Sequence, residues 1–280
     1  MSITVRIIAA VFFAVTASAV APEALASGRT AAGETVGHPW AGKTVAYLGD
    51  SITDPATLSE ETHYWGYLEE WLGITPLVYG KGGHMWFHIL GQAEPLRKDR
   101  GDDFDAIMIF VGTNDYNAGL PIGEWFVEEK TEVNANGKMV ERVRRTPVMD
   151  QWTYRSCINK VLDSLKRMFP TKQIVVLTPV HRAFARFGDW NVQPDESHQN
   201  SCGEYLDAYV ESVKEASAIW SVPVIDTYSI CGLFPMHKEQ GMYFPGGDDM
   251  LHPNAEGHRR LAMCLYYQLL SLPCTFTFPE

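Results

Sequence analysis

Five short apolar segments, separated by segments with helical periodicity, constrain the fold of this chain more than any other feature of its sequence. The segment at 106–111 (AIMIFV) is continuously apolar, as expected of a strand buried on both faces of a parallel sheet. One such run is equally consistent with a buried helix, but five runs alternating with helical patterns favour a parallel sheet covered by helices on both sides. The predicted strands are 44–48, 77–79, 106–111, 174–178 and 222–226, and the predicted helices are 63–72 and about 151–168, 203–219 and 254–270.

Two stretches depart from this alternation. Residues 117–150 contain Asn-Ala-Asn-Gly at 134–137 between extended segments, and Asn-Gly in that position is a hairpin signal. We expect an inserted hairpin beside the functional site, serving as a lid or rim. Residues 182–200 are polar and aromatic and are expected to form a long loop. Neither stretch is long enough for a core of its own, so residues 27–280 are expected to form a single domain.

The N-terminal residues have the pattern of a signal peptide. Arg6 supplies a positive charge, residues 7–20 form an apolar run, and Ala-Leu-Ala at 24–26 is a small-x-small cleavage site. A transmembrane anchor would need about 20 apolar residues, which this run does not reach. We therefore expect cleavage after Ala26, with Ala19 as second choice, export to the periplasm or the medium, and no stable membrane anchor in the mature protein.

The net charge and the cysteines exclude several functional classes. A net charge of −11 is unsuited to nucleic-acid binding, which needs basic surface to neutralise phosphates. The five cysteines include no C-x-x-C pair, so neither a zinc ribbon nor a thioredoxin-like motif is supported. Cys264 is expected to be a buried small apolar residue. A Cys202–Cys231 disulfide is left open, because sequence does not determine connectivity.

Small and polar residues directly follow three of the predicted strands. Gly-Asp-Ser follows the first (49–51), Gly-Lys-Gly-Gly-His the second (80–84) and Gly-Thr-Asn-Asp the third (112–115). In an open α/β sheet, ligands bind outside the carboxyl ends of the strands, where the strand order reverses. Glycines in such turns allow backbone N–H groups to approach a ligand closely. The three turns are therefore expected to converge on one site.

A fourth segment, Asp-Asp-Met-Leu-His-Pro-Asn at 248–254, directly precedes the last predicted helix. Asp249 and His252 are three residues apart in a turn. That spacing lets the carboxylate accept the Nδ1–H of the imidazole and leaves Nε2 facing a nucleophile. Ser51 is the candidate nucleophile, so the three side chains have the chemistry of a Ser-His-Asp triad.

Each of these motifs also has a purely structural explanation. Asp and Ser after a strand cap helices, Gly-Thr-Asn-Asp is a turn sequence, and Asp-x-x-His-Pro marks the start of a helix. Capping alone does not account for three turns at one sheet edge together with a late Asp/His pair. The absence of Gly-x-Ser-x-Gly argues against an α/β-hydrolase.

A metal centre is a second alternative for the late segment. Asp248, Asp249, His252 and His258 are all ligand types, but the two histidines are six residues apart, outside the usual zinc spacing. No metal or other cofactor is therefore expected. His258 is expected near the start of the last helix, facing solvent or a partner carboxylate.

The blocks G-D-S, G-K-G-G, G-T-N-D and D-M-L-H, in this order and separation, resemble the SGNH (GDSL-type) hydrolase family over about residues 44–270. The resemblance implies an α/β fold: a flavodoxin-like three-layer α/β/α sandwich with a five-stranded parallel sheet of order 2-1-3-4-5. It also implies that Ser51 is the nucleophile and that Asp249 and His252 complete the triad.

The same resemblance implies an oxyanion hole built from three donors. These are the backbone N–H groups of Ser51 and Gly83 and the side chain of Asn114. The second block departs from the family pattern at Val78, where asparagine is usual, and at Gly82, where serine is common. Neither departure changes the donor at Gly83.

Together these features predict a serine esterase acting on acyl esters, with O-acetyl groups on a carbohydrate as the favoured substrate. The residues expected to contact a small-molecule or glycan ester are Asp50, His84, Trp86, Trp125, His181 and Arg182. Packing in the core is an equally good explanation for the two tryptophans. A surface salt bridge is an equally good explanation for His181 and Arg182.

Two other functions stay open at this point. A lipid or thioester acyl hydrolase would share the chemistry but would need a long apolar groove. A non-catalytic glycan-binding module of the same fold would not need an intact Ser51, Asp249 and His252, which counts against it.

Overall fold

The computed structural model describes residues 28–29, 35–58 and 60–272. The chain divides into two compact units, Met1–His38 and Pro39–Glu280. In the first unit, the described strands Gly28–Arg29 and Thr35–Val36 pair antiparallel. The expected signal peptide at 1–26, with its cleavage site after Ala26, lies outside the described residues.

The second unit is organised around one five-stranded parallel sheet. Its strands are β1 (Thr44–Gly49), β2 (Thr75–Val78), β3 (Ala106–Phe110), β4 (Gln173–Leu177) and β5 (Val224–Ile225). They are ordered β2-β1-β3-β4-β5, and all neighbours are parallel. The predicted order 2-1-3-4-5 is confirmed, and it places β1 at the point where the strand order reverses.

Helices cover both faces of this sheet. They are α1 (Tyr64–Leu72), α2 (Ile89–Arg100), α3 (Tyr154–Met168), α4 (Leu206–Trp220) and α5 (Ala255–Leu269). Alternate strand residues face opposite layers because the side-chain period of a strand is two. In β1, for example, Ala46 and Leu48 pack with α2, α3 and α4, whereas Val45 and Tyr47 pack with α1 and α5. The three-layer sandwich is confirmed.

Helix α2 is an element that the sequence patterns did not predict. Its buried apolar stripe is short, since it consists of Ile89, Ala93 and Leu96, and Pro95 lies inside the helix. Proline normally interrupts a helix by removing a donor. Tertiary packing against the sheet overrides that local preference, and the helix brings the buried Gln92 underneath β1.

The excursion after β3 contains a long hairpin. Its strands, Phe126–Ala135 and Lys138–Pro147, pair antiparallel along their whole length. The turn residues Asn136 and Gly137 both have positive φ (54° and 80°), as a two-residue hairpin turn of type I′ requires. A lid function for this hairpin stays a prediction.

The 182–200 segment contains a smaller antiparallel pair. Strands Ala185–Arg186 and Val192–Gln193 form a two-stranded ribbon within the stretch that was expected to be a loop. We call residues 183–193, which contain this pair of strands, the short ribbon.

Within the described residues, no helix is long and apolar enough to cross a membrane. Cys157, Cys202, Cys231 and Cys264 are all free thiols, so no Cys202–Cys231 disulfide is present. Cys264 is half-buried rather than buried, because it lines a cleft beside the exposed Tyr267 on α5.

Gly49, at the end of β1, yields a packing prediction. A Cβ there would lie 2.4 Å from the Phe110 carbonyl oxygen and 2.6 Å from the Thr53 hydroxyl. Because the β3 backbone cannot move away easily, Gly49→Ala should lower the free energy of unfolding by roughly 1–3 kcal/mol, the usual cost of overpacking. At Gly91 in α2, a Cβ would have no neighbour within 4 Å, so Gly91→Ala should raise the free energy of unfolding by up to about 1 kcal/mol. Urea denaturation followed by circular dichroism tests this, and equal midpoints for the two variants would contradict it.

Candidate active site

Ser51 lies in the tight turn that follows the central strand β1. The backbone N–H groups of Thr53 and Asp54 both donate to the Asp50 carbonyl and close this turn. The Asp50 N–H donates to the Phe110 carbonyl at the end of β3. The serine is therefore fixed at the carboxyl edge of the sheet, between two neighbouring strands.

His252 and Asp249 reach the same edge from the segment that precedes α5. His252 Nε2 lies 2.8 Å from Ser51 Oγ, and His252 Nδ1 lies 2.9 Å from Asp249 Oδ2. The other Asp249 oxygen accepts the backbone N–H groups of Leu251 and His252. The structure thus brings the three predicted side chains into one hydrogen-bonded line.

The Asp249 carboxylate is well suited to orient an imidazole. Its burial by itself would raise its pKa, but the hydrogen bond and charge of His252, with the two backbone N–H donors, hold the pKa below its usual range. An ionised carboxylate at Nδ1 fixes the tautomer in which Nε2 accepts a proton from a hydroxyl. The arrangement can therefore deprotonate Ser51.

The three predicted oxyanion donors also lie at this edge. Asn114 Nδ2 donates to the His84 carbonyl at 3.0 Å, which ties the loop after β3 to the loop after β2. The backbone N–H groups of Ser51 and Gly83 have no acceptor within the part of the chain that the structure describes. Gly83 has φ of +76°, a conformation that glycine adopts without steric cost. The arrangement leaves N–H groups available for a developing negative charge.

Asp54 is a supporting residue that the sequence reasoning missed. Its Oδ2 accepts the backbone N–H of Gly82 at 2.8 Å, and its Oδ1 accepts that of Ala56. The carboxylate therefore links the turn of the nucleophile to the loop that carries Gly83. This contact also uses Gly82, where the chain departs from the family pattern. The signal that could have revealed it is an Asp three residues after the serine.

Gln92 is a second supporting residue, and it was missed together with α2. Its side chain exchanges two hydrogen bonds with the Gly49 backbone, at 2.8 and 2.7 Å. Its Nε2 also lies 2.7 Å from Nδ1 of His84. His84 was predicted to contact substrate, but this contact and stacking on His88 hold its half-buried ring. Burial, followed by the nearby charges of His88 and Lys81, lowers the pKa of His84.

Asp50, a predicted substrate contact, lies beneath the site rather than in it. Its side chain is buried and accepts the Ile52 N–H, because the turn directs it inward while Ser51 points outward. Burial raises the pKa of Asp50 to about 7, although the Ile52 N–H and the charges of His252 and Arg182 oppose the shift.

Asp115 is a second carboxyl group buried beneath the site. It accepts the backbone N–H of Trp86 and so ties the loop after β3 to the loop after β2. Burial raises the pKa of Asp115 to about 8 despite this hydrogen bond.

Neither predicted tryptophan is available to a substrate. Trp86 is fully buried, with its indole N–H donating to the Tyr154 hydroxyl inside the core. Trp125 is also buried, and its N–H donates to Glu215 on α4 at the base of the hairpin. These two assignments were wrong because the apolar face of each ring completes the core instead of lining the site.

Arg182, another predicted substrate contact, is fully buried. Its Nη1 donates to the Thr113 hydroxyl at 3.2 Å and its Nη2 to Gln193 at 2.6 Å, while the guanidinium lies over the Tyr116 ring. Burial lowers the pKa of Arg182 to about 10. It supports the loop that carries Asn114 and is neither a surface salt bridge nor open to a ligand.

His181 pairs through Nδ1 with Glu196, and its ring lies 3.6 Å from that of Tyr228. These contacts leave its side chain mostly buried rather than free at the site.

His258 differs from its expected position. It is buried, its Nδ1 accepts the Tyr64 N–H, and its ring packs 4.8 Å from that of His63. Burial lowers the pKa of His258 well below its usual value. The expectation of a histidine facing solvent or a partner carboxylate was wrong, because α5 turns this position toward α1. In the described part of the chain, no group of three or more His, Cys, Asp or Glu side chains is placed to hold a metal ion.

Phe187 is a residue at the site that the sequence reasoning did not select. Its ring lies 5.1 Å from that of His252, and its side chain is half-exposed. The signal that could have revealed it is the spacing of Phe184, Phe187 and Trp190, three aromatic residues at three-residue intervals in a segment otherwise rich in polar residues.

Comparison with known proteins gives a family match and several structures of the same fold. A model of the GDSL-like Lipase/Acylhydrolase family matches residues 47–260. A protein from Lactobacillus plantarum has 23% identity and a TM-score of 0.62, over 81% of this chain and 96% of that one. A possible lipase from Chitinophaga pinensis has 18% identity and a TM-score of 0.59, over 81% of this chain and 97% of that one. An acetylxylan esterase from Geobacillus stearothermophilus has 17% identity and a TM-score of 0.50, over 84% of this chain and 97% of that one. At these identities the structural likeness shows the fold alone. Among proteins of curated function, none matched.

The buried Asp115 generates a prediction about pH and stability. Its raised pKa means that the folded state binds more protons than the unfolded state between about pH 4 and pH 8, so stability falls as pH rises through that window. Asp115→Asn removes this titration. Relative to Asp115→Asn, the wild type should therefore lose free energy of unfolding from about pH 4 to pH 8. Urea denaturation at several pH values measures this, with the exposed Asp103→Asn as the matched control. Parallel pH profiles for wild type and Asp115→Asn would refute it.

Proposed function

The chain belongs to the GDSL-like lipase/acylhydrolase family, and from that premise we propose that it is a serine esterase that removes O-acetyl groups from carbohydrates through an acyl-enzyme at Ser51. The observation that carries the proposal is the hydrogen-bonded line from Ser51 Oγ through His252 to Asp249. A hydroxyl, an imidazole and a carboxylate in this order form the arrangement that activates a serine for acyl transfer.

The proposed reaction proceeds in two half-reactions. In the first, His252 Nε2 takes the Ser51 proton as Oγ attacks the ester carbonyl, and Asp249 stabilises the imidazolium that forms. His252 then gives the proton to the leaving alcohol, and the acyl group stays on Ser51. In the second, His252 takes a proton from water, which attacks the acyl-enzyme, and then returns that proton to Ser51 as the carboxylate leaves.

The negative charge on the former carbonyl oxygen needs fixed donors. We assign these to the backbone N–H groups of Ser51 and Gly83 and to the Asn114 side chain. Their supports, Asp54 and Gln92, are already hydrogen-bonded in the resting protein. Donors that are held in place before the reaction cost no reorganisation when the charge develops.

Two considerations favour an acetylated carbohydrate as the substrate class. The Geobacillus stearothermophilus acetylxylan esterase has the same fold over 84% of this chain. The half-exposed Phe187 lies beside the His252 ring, with the half-exposed Phe184 three residues before it, and exposed aromatic rings suit the apolar face of a sugar ring. Export, predicted from the leader-like N-terminus, is part of this proposal.

The first test of this function uses Ser51→Ala. The wild type should be labelled by a fluorophosphonate probe and should release acetate from acetylated oligosaccharides, whereas Ser51→Ala should do neither, because no nucleophile remains. Circular dichroism should show an unchanged fold. Intact acetate release by Ser51→Ala would refute the triad assignment. A wild type that prefers long-chain esters to acetyl glycans would instead indicate a lipid acyl hydrolase.

A second test addresses the oxyanion hole. Asn114→Ala removes one of the three proposed donors and should lower kcat by roughly 10²–10³, with a much smaller effect on KM, because the donor acts on charge that develops in the transition state. The matched control is Asn117→Ala, because Asn117 is exposed and lies in the short helix Thr113–Asn117 that also contains Asn114. Equal effects of the two substitutions on kcat would contradict the assignment.

A further inference from the structure

The short ribbon is built as one piece with the segment that carries the catalytic histidine. Ala183 N–H donates to the Met250 carbonyl, Met250 N–H donates to the Phe184 carbonyl, and Arg186 N–H donates to the Asp248 carbonyl. These three backbone hydrogen bonds flank Asp249 and leave little freedom between the two segments. The backbone of the short ribbon at 183–186 is therefore held in place beside the segment that carries His252.

The short ribbon exposes four large apolar side chains within nine residues. Phe184 and Phe187 are about two-fifths exposed (40% and 42%), Val192 is 50% exposed, and Trp190 is fully exposed at the tip. Single exposed apolar residues are ordinary, but a cluster of them marks an interaction site because its contact with water is unfavourable. The tip is also ordered by its own contacts: Phe187 N–H donates to the Asn191 carbonyl, and Arg186 pairs with Asp189.

The position of Phe187 identifies which part of a substrate this cluster would meet. The general acid must reach the oxygen of the leaving alcohol, so that alcohol departs on the His252 side of the scissile bond. The carbonyl oxygen points to the opposite side, toward Ser51 N–H, Gly83 and Asn114. Because the Phe187 ring lies 5.1 Å from the His252 ring, it borders the space of the leaving alcohol.

We propose that Phe187 and Trp190 form the binding subsite for the leaving alcohol and that this subsite takes the apolar face of a pyranose ring. This inference rests on the esterase function proposed above. The aromatic faces contribute contact area for the ring's C–H groups, and the ribbon's attachment to the His252 segment aligns the bound hydroxyl oxygen with Nε2. Arg186 and Asp189, which pair with each other, flank the rings with polar groups that suit the sugar's hydroxyls.

The test varies the alcohol and the acyl group separately. The kcat/KM values are measured for an acetylated methyl pyranoside, for methyl acetate and for methyl butyrate, with wild type, Phe187→Ala, Trp190→Ala and Phe187→Tyr. Phe187→Ala should lower the ratio of acetyl pyranoside to methyl acetate about tenfold, equivalent to about 1.4 kcal/mol of lost transition-state binding. Trp190→Ala should lower this ratio by a smaller factor, because it is Phe187 whose ring packs against that of His252. Phe187→Tyr, which keeps an aromatic ring, should leave the ratio near the wild-type value.

The matched control is Tyr267→Ala. Tyr267 is 51% exposed and lies twelve residues into α5 from its first residue, about 18 Å along the helix axis. This substitution should leave all three substrates at the wild-type rate. The butyrate-to-acetate ratio should stay constant in every ribbon variant, because the acyl group lies on the other side of the bond.

Three outcomes would overturn the subsite. The first is an equal loss of kcat/KM on acetyl pyranoside and on methyl acetate in Phe187→Ala. The second is a changed butyrate-to-acetate ratio in a ribbon variant. The third is an effect of Tyr267→Ala on the pyranoside-to-methyl-acetate ratio as large as that of Phe187→Ala. A separate result concerns the esterase's natural substrate. If the wild type does not favour the acetyl pyranoside over methyl acetate, the carbohydrate proposal fails. The ratio of kcat/KM for cyclohexyl acetate to that for methyl acetate then tests the subsite by itself. A fall in that ratio in Phe187→Ala supports the subsite, and a constant ratio rejects it.

Discussion

The candidate active site depends on one hydrogen bond between residues 201 positions apart, from the Ser51 hydroxyl to the His252 imidazole. Nothing local in the chain brings these groups together. They meet because β1 ends at the carboxyl edge of a parallel sheet and because the segment before α5 returns to that edge. Every other feature of the site, from the Asn114 loop to the short ribbon, is placed relative to this pair.

The polar groups beneath the site have the character of a rigid support. Asp50, Asp115, Gln92 and Arg182 are all buried, and each is hydrogen-bonded to a loop that carries a proposed functional group. Burying such groups opposes folding unless their hydrogen bonds are satisfied. Their placement makes physical sense if it fixes the donors before the substrate arrives, since a donor displaced by an ångström would lose much of its effect.

Aromatic residues show how far sequence reasoning extends. Trp86 and Trp125 lie near the motifs in the sequence, and both are core residues, whereas Phe187 lies outside every motif and borders the His252 ring. The stretch around Phe187 looked like an unstructured loop because its two paired strands are only two residues long. Helix α2 was not predicted for a related reason. Its sequence contains Pro95 and few apolar residues, which is not a helical pattern, and packing against β1 stabilises the helix instead.

The sequence by itself determined the α/β class, the positions of the five strands to within a few residues, and the identities of Ser51, Asp249 and His252 as candidates. These follow from short-range patterns: apolar periodicity, glycine turns and a three-residue Asp/His spacing. Only the tertiary structure decided that Arg182 and Trp86 are buried, that Asp54 bonds the Gly82 loop, and that Phe187 faces His252. Burial and contact depend on residues far away in the chain, and no local pattern records which distant surface will cover a given side chain.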